Sequence, residues 1–210
     1  MSYRTHVFDC DGVLLDSNGA KSAAFYDVAL PYGVREAEAL VEFHRSAGST
    51  GRRARWEYFF RSIVCRHPHP GELEDLLDRT TRRVRSRAPY PLVPGVRAYL
   101  ESLTGDRIVV SGVEKAELSE LLALHGLAEQ FDAVYGSPPD KATLLAALVE
   151  RGDIGLPATY YGDTFEDYQA ASGAGLDFVF VHGCSEQDFA RLPAGIPVIA
   201  DFLPTEAVPA

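Results

Sequence analysis

Thr5-His6-Val7-Phe8-Asp9-Cys10-Asp11-Gly12-Val13-Leu14-Leu15-Asp16-Ser17 is the stretch on which the reading of the whole chain turns. Val7 and Phe8 form a short apolar run of the kind that makes a buried strand. The run ends in two carboxylates two residues apart, followed by a glycine. Positions i and i+2 of an extended strand point to the same side, so Asp9 and Asp11 crowd one point at the strand's C-terminal end. Carboxylates that close repel unless a cation lies between them or one takes a proton. Gly12 lets the backbone turn sharply, and ligands of open α/β sheets bind at such strand ends. Alone, the stretch also reads as an acidic loop after a strand. The remainder of the chain decides between the two.

Downstream, the texture divides in two. Residues 17–86 read as helix throughout, with segments at about 18–30, 35–47, 52–66 and 71–87. Ala37, Leu40, Val41 and His44 share one face of the second. Trp56, Phe59, Phe60 and Ile63 recur at helical spacing in the third. From Pro89 onward strands alternate with helices. Strands are expected at 107–112, 131–136, 159–163, 178–181 and, at an edge, 197–199; helices are expected at 94–103, 115–125, 140–151 and from 164 to about 174. That alternation predicts βαβ units around a parallel sheet. The fold expected is therefore α/β, a Rossmann-like parallel sheet flanked by helices. Residues 1–16 and 87–210 would form this core, and 17–86 an inserted all-helical cap.

The chain has 210 residues, 46% hydrophobic, with a net charge of −10. Such a composition supports a packed core and argues against a general nucleic-acid role. The charge is uneven: residues 17–86 carry 12 Lys+Arg against 9 Asp+Glu, the rest 8 against 21. A basic insert facing an acidic core suits an anionic substrate held by cations, although Arg-rich helices are also simply solvated. Three scattered cysteines, Cys10, Cys65 and Cys184, make no disulfide framework. The opening residues lack a signal-peptide apolar region, and no apolar run reaches membrane-spanning length. A soluble cytoplasmic protein is expected.

Parallel connections bring the polar strand ends to one sheet edge. Asp9 and Asp11 follow the first strand, Ser111 and Gly112 the second. Lys141 opens the helix after the third, and Gly162-Asp163-Thr164-Phe165-Glu166-Asp167 follows the fourth. Several carboxylates with no Cys or His partner make a hard oxygen site suited to Mg²⁺. Ser111, a lysine and backbone amides suit phosphate oxygens. A carboxylate beside Mg²⁺ can attack phosphorus, and one two residues on can serve as general acid, then base. Singly each piece is weak: a Ser-Gly is commonly a turn, and Asp163 and Asp167 also read as a helix N-cap and a first-turn carboxylate.

In their order and spacing, these motifs resemble those of a haloacid dehalogenase (HAD) superfamily phosphohydrolase with a helical cap after the first strand, in the phosphoglycolate phosphatase/β-phosphoglucomutase-like group. The resemblance rests on Phe8 to Ser17, Val109-Val110-Ser111-Gly112, Pro139-Asp140-Lys141, and Tyr161 to Asp167 with Ala170-Ala171 and Ala174-Gly175. It spans nearly the whole chain. It implies Asp9 as nucleophile and metal ligand, and Asp11 as general acid/base that reaches Mg²⁺ through its backbone carbonyl. Two carboxylates near one ion divide these tasks only if their environments differ, so the Asp11 side chain is expected to turn from the metal toward the cap, where it can hold a proton. Ser111, Gly112 and Lys141 would bind the phosphoryl group, with Asp163 and Asp167 completing the metal site, Asp167 directly or through water. The activity implied is a Mg²⁺-dependent phosphatase acting on a small phosphorylated metabolite through an aspartyl-phosphate.

Gly48 to Phe60 is similar to the cap of small bacterial members in sugar and nucleotide-sugar pathways. Arg52 and Arg55, three apart after a flexible loop, would reach a second anionic group of the substrate, or else lie with Arg53 on a solvated helix turn. Cys65, His67 and His69 read better as a proline-broken loop than as a metal clip, and Cys10 as core. A sugar phosphomutase shares the core and is the alternative. Phosphonate cleavage would need a cap lysine for a Schiff base, and Lys21 is the only one. A dehalogenase would lack the uses of Asp11 and Asp163, and a non-enzymatic binding module would leave the whole set unexplained.

Overall fold

A computed structural model describes residues 3–48 and 50–204. Strand β1 (Thr5–Phe8) lies in the middle of a six-stranded sheet, with β2 (Asp106–Glu114), β3 (Ala133–Ser137), β4 (Ala158–Gly162), β5 (Asp177–Val181) and β6 (Val198–Ile199). The order is β3-β2-β1-β4-β5-β6, and every pairing is parallel. β1 has helix-covered sheet on both faces, which is why all four of its residues are buried. Its neighbours Val7 and Phe8 divide between two apolar clusters, as do Val109 and Val110 in β2 and Tyr160 and Tyr161 in β4. This is the two-residue alternation of a strand. One cluster packs under α5 (Val96–Ser102) and α6 (Lys115–Leu124), the other under α7 (Lys141–Glu150) and α8 (Phe165–Gly173).

Between β1 and α5 run α1 (Asn18–Ala29), α2 (Val34–Ser46), α3 (Arg52–Tyr58) and α4 (Glu72–Arg85). They enclose a third cluster of their own, with Phe25, Leu40, Trp56, Phe59, Phe60 and Leu76. Burying Leu40 or Phe59 fully, as here, stabilises by about 1.5–3 kcal/mol each. Trp56 is fully buried, and its indole Nε1 donates to Thr80 Oγ1 at 3.0 Å, which ties α3 to α4. The third helix is shorter than its apolar spacing predicts: after Tyr58 it widens into a π turn, Phe59–Ile63, and ends. No helix among the described residues is long and apolar enough to cross a membrane.

One difference from the sequence expectation bears on the site. β2 does not stop at Gly112 but continues to Glu114. Its register against β3 shifts: Val110 faces Tyr135 and Glu114 faces Ser137, so four steps on β2 match two on β3. The surplus residues bulge out of the ladder and free Ser111 and Gly112. Gly136 permits this, because a Cβ there would sit 2.6 Å from the Val113 carbonyl oxygen and the Lys115 Cα.

Candidate active site

The strand ends meet at a cavity of about 320 Å³ whose walls include Asp9, Asp11, Ser111, Gly112, Lys141 and Asp163 from the core side, and Lys21, His44, Arg52 and Arg55 from α1–α3. Asp167 lies just behind the wall and is 1% exposed.

Three carboxylates, Asp9, Asp163 and Asp167, each place an oxygen within 4.8 Å of the other two, and all are buried. A single cation answers them. Lys141 Nζ lies 2.9 Å from Asp9 Oδ2 and also meets Asp167 Oδ1. Lys141 is aimed by its place at the start of α7, where Asp140 caps the helix by accepting from Thr143 N at 3.0 Å. Burial drives the Asp9 carboxyl up to about 6; Lys141 opposes the rise, and Asp167 and Asp11 add to it. Burial, then Asp167 and Asp9, push Asp163 well above the usual carboxylate range. Lys141 goes the other way: burial disfavours its charge, but Asp167 and Asp9 outweigh burial and raise it well above its ordinary value.

Asp167 has a second task. Thr164 is the N-cap of α8, its hydroxyl accepting from Asp167 N at 3.2 Å, while Asp167 Oδ2 accepts from Thr164 N at 3.1 Å. This capping box makes Thr164, not Asp163, the cap. Asp163 is left to face the cavity, where its Oδ2 accepts from Asn18 Nδ2 at 2.7 Å.

Asp11 stands apart from the three-carboxylate group. Its side chain is turned toward α1, and there Oδ1 accepts from Ser17 Oγ and Oδ2 meets Lys21 Nζ, both at 2.5 Å. Burial would raise its pKa, but Lys21 and Ser17 outweigh burial and lower it. The expected proton-holding Asp11 is thus, in this conformation, an anion paired with a lysine, the state suited to a base. Lys21 was foreseen only as a Schiff-base candidate. Its pairing raises its own pKa against the effect of burial, which opposes the neutral amine such chemistry needs.

The two foreseen arginines differ. Arg52 points both terminal nitrogens at Glu117 of α6, at 2.9 and 2.7 Å. Arg55 is 8% exposed and bonds only backbone carbonyls, those of Thr50 and Gly48. Arg53 is exposed and pairs with Glu74. Sequence reading missed Asn18, His44 and Glu117 as cavity residues. Asn18 and Glu117 act through partners more than 60 residues away, and no local pattern signals such pairs. Cys65, His67 and His69 form no ligand group among the described residues, and Cys10 is buried in the core cluster.

A family model of haloacid dehalogenase-like hydrolases matches residues 6–181. The chain belongs to that family. Solved structures agree on the fold. CbbY from Rhodobacter sphaeroides, seen with xylulose 1,5-bisphosphate, is 19% identical, with a TM-score of 0.71 and 95% of each chain covered. A protein from Haemophilus somnus named as a phosphoglycolate phosphatase is 16% identical, with a TM-score of 0.76 and 96% of each chain covered. One from Thermotoga maritima named as a β-phosphoglucomutase is 19% identical, with a TM-score of 0.69, covering 95% of this chain and 94% of that one. No curated protein matches. This haloacid dehalogenase-like hydrolase therefore shares its architecture with proteins whose names speak of phosphate esters.

Proposed function

We propose that the chain is a Mg²⁺-dependent phosphatase of a small phosphorylated metabolite, working through an aspartyl-phosphate on Asp9. One observation carries the reading: three buried carboxylates converge on a single lysine at the floor of a cavity. With all four ionised the floor holds a net charge of −2, which a divalent cation offsets. The donors are all oxygen, which fits Mg²⁺. Asp9 and Asp163 would hold it. Both Asp167 oxygens are already occupied, by Lys141 on one side and the α8 cap on the other, so Asp167 would act behind them or through water. The ion would supply charge neutralisation to the phosphoryl oxygens.

Lys141 keeps Asp9 anionic and thus nucleophilic. Ser111 and Gly112, freed by the β2 bulge, and Lys141 line the place for the phosphoryl oxygens. Attack by an Asp9 oxygen forms an O–P bond and breaks the ester P–O bond. Asp11 gives the departing oxygen a proton, then takes one from the water that hydrolyses the acyl phosphate. To act as acid it must first exchange its Lys21 contact for a proton. Because Lys21 is carried by α1 of the helical insert, we infer that residues 17–86 act as a cap whose position sets the protonation of Asp11. The same groups would serve a sugar phosphomutase.

The test is a panel of phosphorylated metabolites assayed for inorganic phosphate, with and without Mg²⁺ and with a chelator. Release that needs Mg²⁺ supports the phosphatase. Isomerised phosphate ester in place of free phosphate identifies a mutase. Turnover untouched by chelation would sink the metal assignment.

A further inference from the structure

A short segment after β5 bonds to both the core and the insert, and takes no part in the proposed chemistry. Its base is fixed to the sheet edge: His182 N and Gly183 N donate to the Ile199 and Ala200 carbonyls, both at 2.9 Å. Beyond that base, each of four consecutive residues bonds to the insert, to the loop that carries Asp163, or to both. Cys184 O accepts from Asn18 Nδ2 at 3.0 Å, and the same amide nitrogen donates to Asp163 Oδ2. Ser185 Oγ donates to the Asp163 backbone carbonyl at 2.6 Å and accepts from Gln187 N at 3.0 Å. Glu186 Oε2 accepts from Ser22 Oγ of α1 at 2.5 Å, and its Oε1 from Arg45 Nε of α2 at 3.1 Å.

Gln187 closes the segment, and its residue type is specific. Its Oε1 accepts from Phe165 N, the first residue of α8, at 2.9 Å. Its Nε2 donates to Arg45 O, in the last turn of α2, at 2.9 Å. Neither helix-end group has a partner within its own helix. One needs an acceptor and the other a donor, and a primary amide offers both at one carbon. A glutamate would set a carboxylate against the Arg45 carbonyl and against Glu166, whose Oε2 lies 3.5 Å from Nε2. An asparagine is one methylene shorter. The end of α2 and the start of the helix after Asp163 thus hang on one side chain.

We propose that Gln187 is a positioning residue which, with Glu186, couples the docking of α1 and α2 to the placement of Asp163. The inference rests on the proposed metal role of Asp163, and the link it adds is separate from the Lys21–Asp11 pair. Partners behind a metal ligand fix its orientation and raise affinity for the ion. Here they hold Asp163 at its backbone carbonyl, through Ser185, and at its carboxylate, through Asn18. Glu186 and Gln187 keep that support in place only while Ser22 and Arg45 of the insert hold them in turn. Such a coupling is reciprocal, so an ion at Asp163 steadies the end of α2.

Mn²⁺, which shares the oxygen preference of Mg²⁺, is the probe. It is titrated into the full chain without substrate, and the unbound ion is counted by electron paramagnetic resonance. Gln187→Ala should raise the Kd on the order of 10-fold. Glu186→Ala removes contacts to the insert alone, yet it should raise the Kd about 5-fold or more. Glu186→Gln, which keeps an acceptor for Ser22, should recover part of the loss. A local structural role for the segment would move the first value and not the second. A wild-type Kd in either alanine variant overturns the proposal. Hydrogen exchange read by mass reports the reverse direction. Mg²⁺ should slow exchange across 43–47 in wild-type protein and not in Gln187→Ala, and equal slowing in both rejects the coupling. If wild-type protein binds Mn²⁺ no more tightly than Asp163→Asn protein, the metal reading has failed, and exchange without metal decides. Glu186→Ala should then speed exchange across 163–167, although the Glu186 side chain bonds only Ser22 and Arg45. Unchanged exchange there rejects the coupling.

Discussion

The two ends of the cavity are built on different plans. At the core end, Asp9, Asp163, Asp167 and Lys141 come from strand ends and helix starts that the parallel sheet brings together. Each lies in a short run of residues that announces it. At the helical end, Lys21, Arg52, Arg55 and His44 stand on α1, α2 and α3, and basic residues on helices are common for reasons of solubility. What distinguishes them is the partner each has found or lacks. The groups proposed for chemistry are thus fixed by local turns, and those of the helical wall by pairings across the molecule. The first kind should fail completely when altered, the second in degree.

The largest effect is expected at Asp9. Asp9→Asn keeps the shape of the side chain but removes the nucleophile, and turnover should fall by about 10⁴-fold or more. Circular dichroism should show an intact fold. Substantial activity, with the amide verified by mass, would remove Asp9 from its role and with it the contrast between the two ends.

Asp11→Asn comes next and probes the junction between them. An alkyl phosphate should slow by roughly 10²–10⁴, the loss expected for acid–base catalysis. An activated aryl phosphate needs little protonation on departure, so it should suffer less. Rapid mixing should then show a burst of leaving group and a trapped phosphoenzyme. If Mg²⁺ affinity falls instead and both substrates suffer alike, Asp11 belongs with the metal ligands and the separation seen here is misleading.

The smallest effect concerns the bond that joins the ends. Arg52→Ala, Glu117→Ala and the double variant form a cycle whose coupling, measured in urea, should be about 1–3 kcal/mol for this mostly buried pair. Burial acts to raise the Glu117 pKa, but Arg52 outweighs it and the pKa is lowered. The stabilisation is therefore present above the unfolded carboxylate value, about 4.3, and is lost as pH falls through the lower folded value. A coupling near zero at neutral pH would mean that Glu117 does not hold Arg52, which is then available to a substrate.

The sequence made the core end legible because its signals are local: the DxDG turn, the Ser-Gly, the lysine opening a helix, the Gly-Asp with a carboxylate four residues on. It also marked the helical insert, whose apolar residues recur with helical period where the rest alternates. It did not show that Ser111 sits in a bulge inside a strand, because register depends on the partner strand and on Gly136. Nor did it separate Arg52 from Arg55. Both are three-residue neighbours on one helix, and only the approach of Glu117 on α6 neutralises one and not the other. The Lys21–Asp11 pair was hidden for a similar reason: each residue had a more obvious use.

The central position of β1 has a kinetic consequence. The strand that leads into Asp9 precedes the other five in the chain, yet Phe8 pairs with Val109 and Tyr161, about 100 and 150 residues further on. Contacts of such long range form slowly, whereas the cluster of α1–α4 joins residues much nearer in sequence. The topology predicts that the insert condenses early and that β1 is seated only once β4 exists. Pulse-labelling of amides during refolding should show Val7 and Phe8 protected after the interiors of α1 and α4, and the reverse order would refute it. Until that late step Asp9 and Lys141 are strangers, so a half-made chain carries the proposed nucleophile without the cation that would hold it ionised.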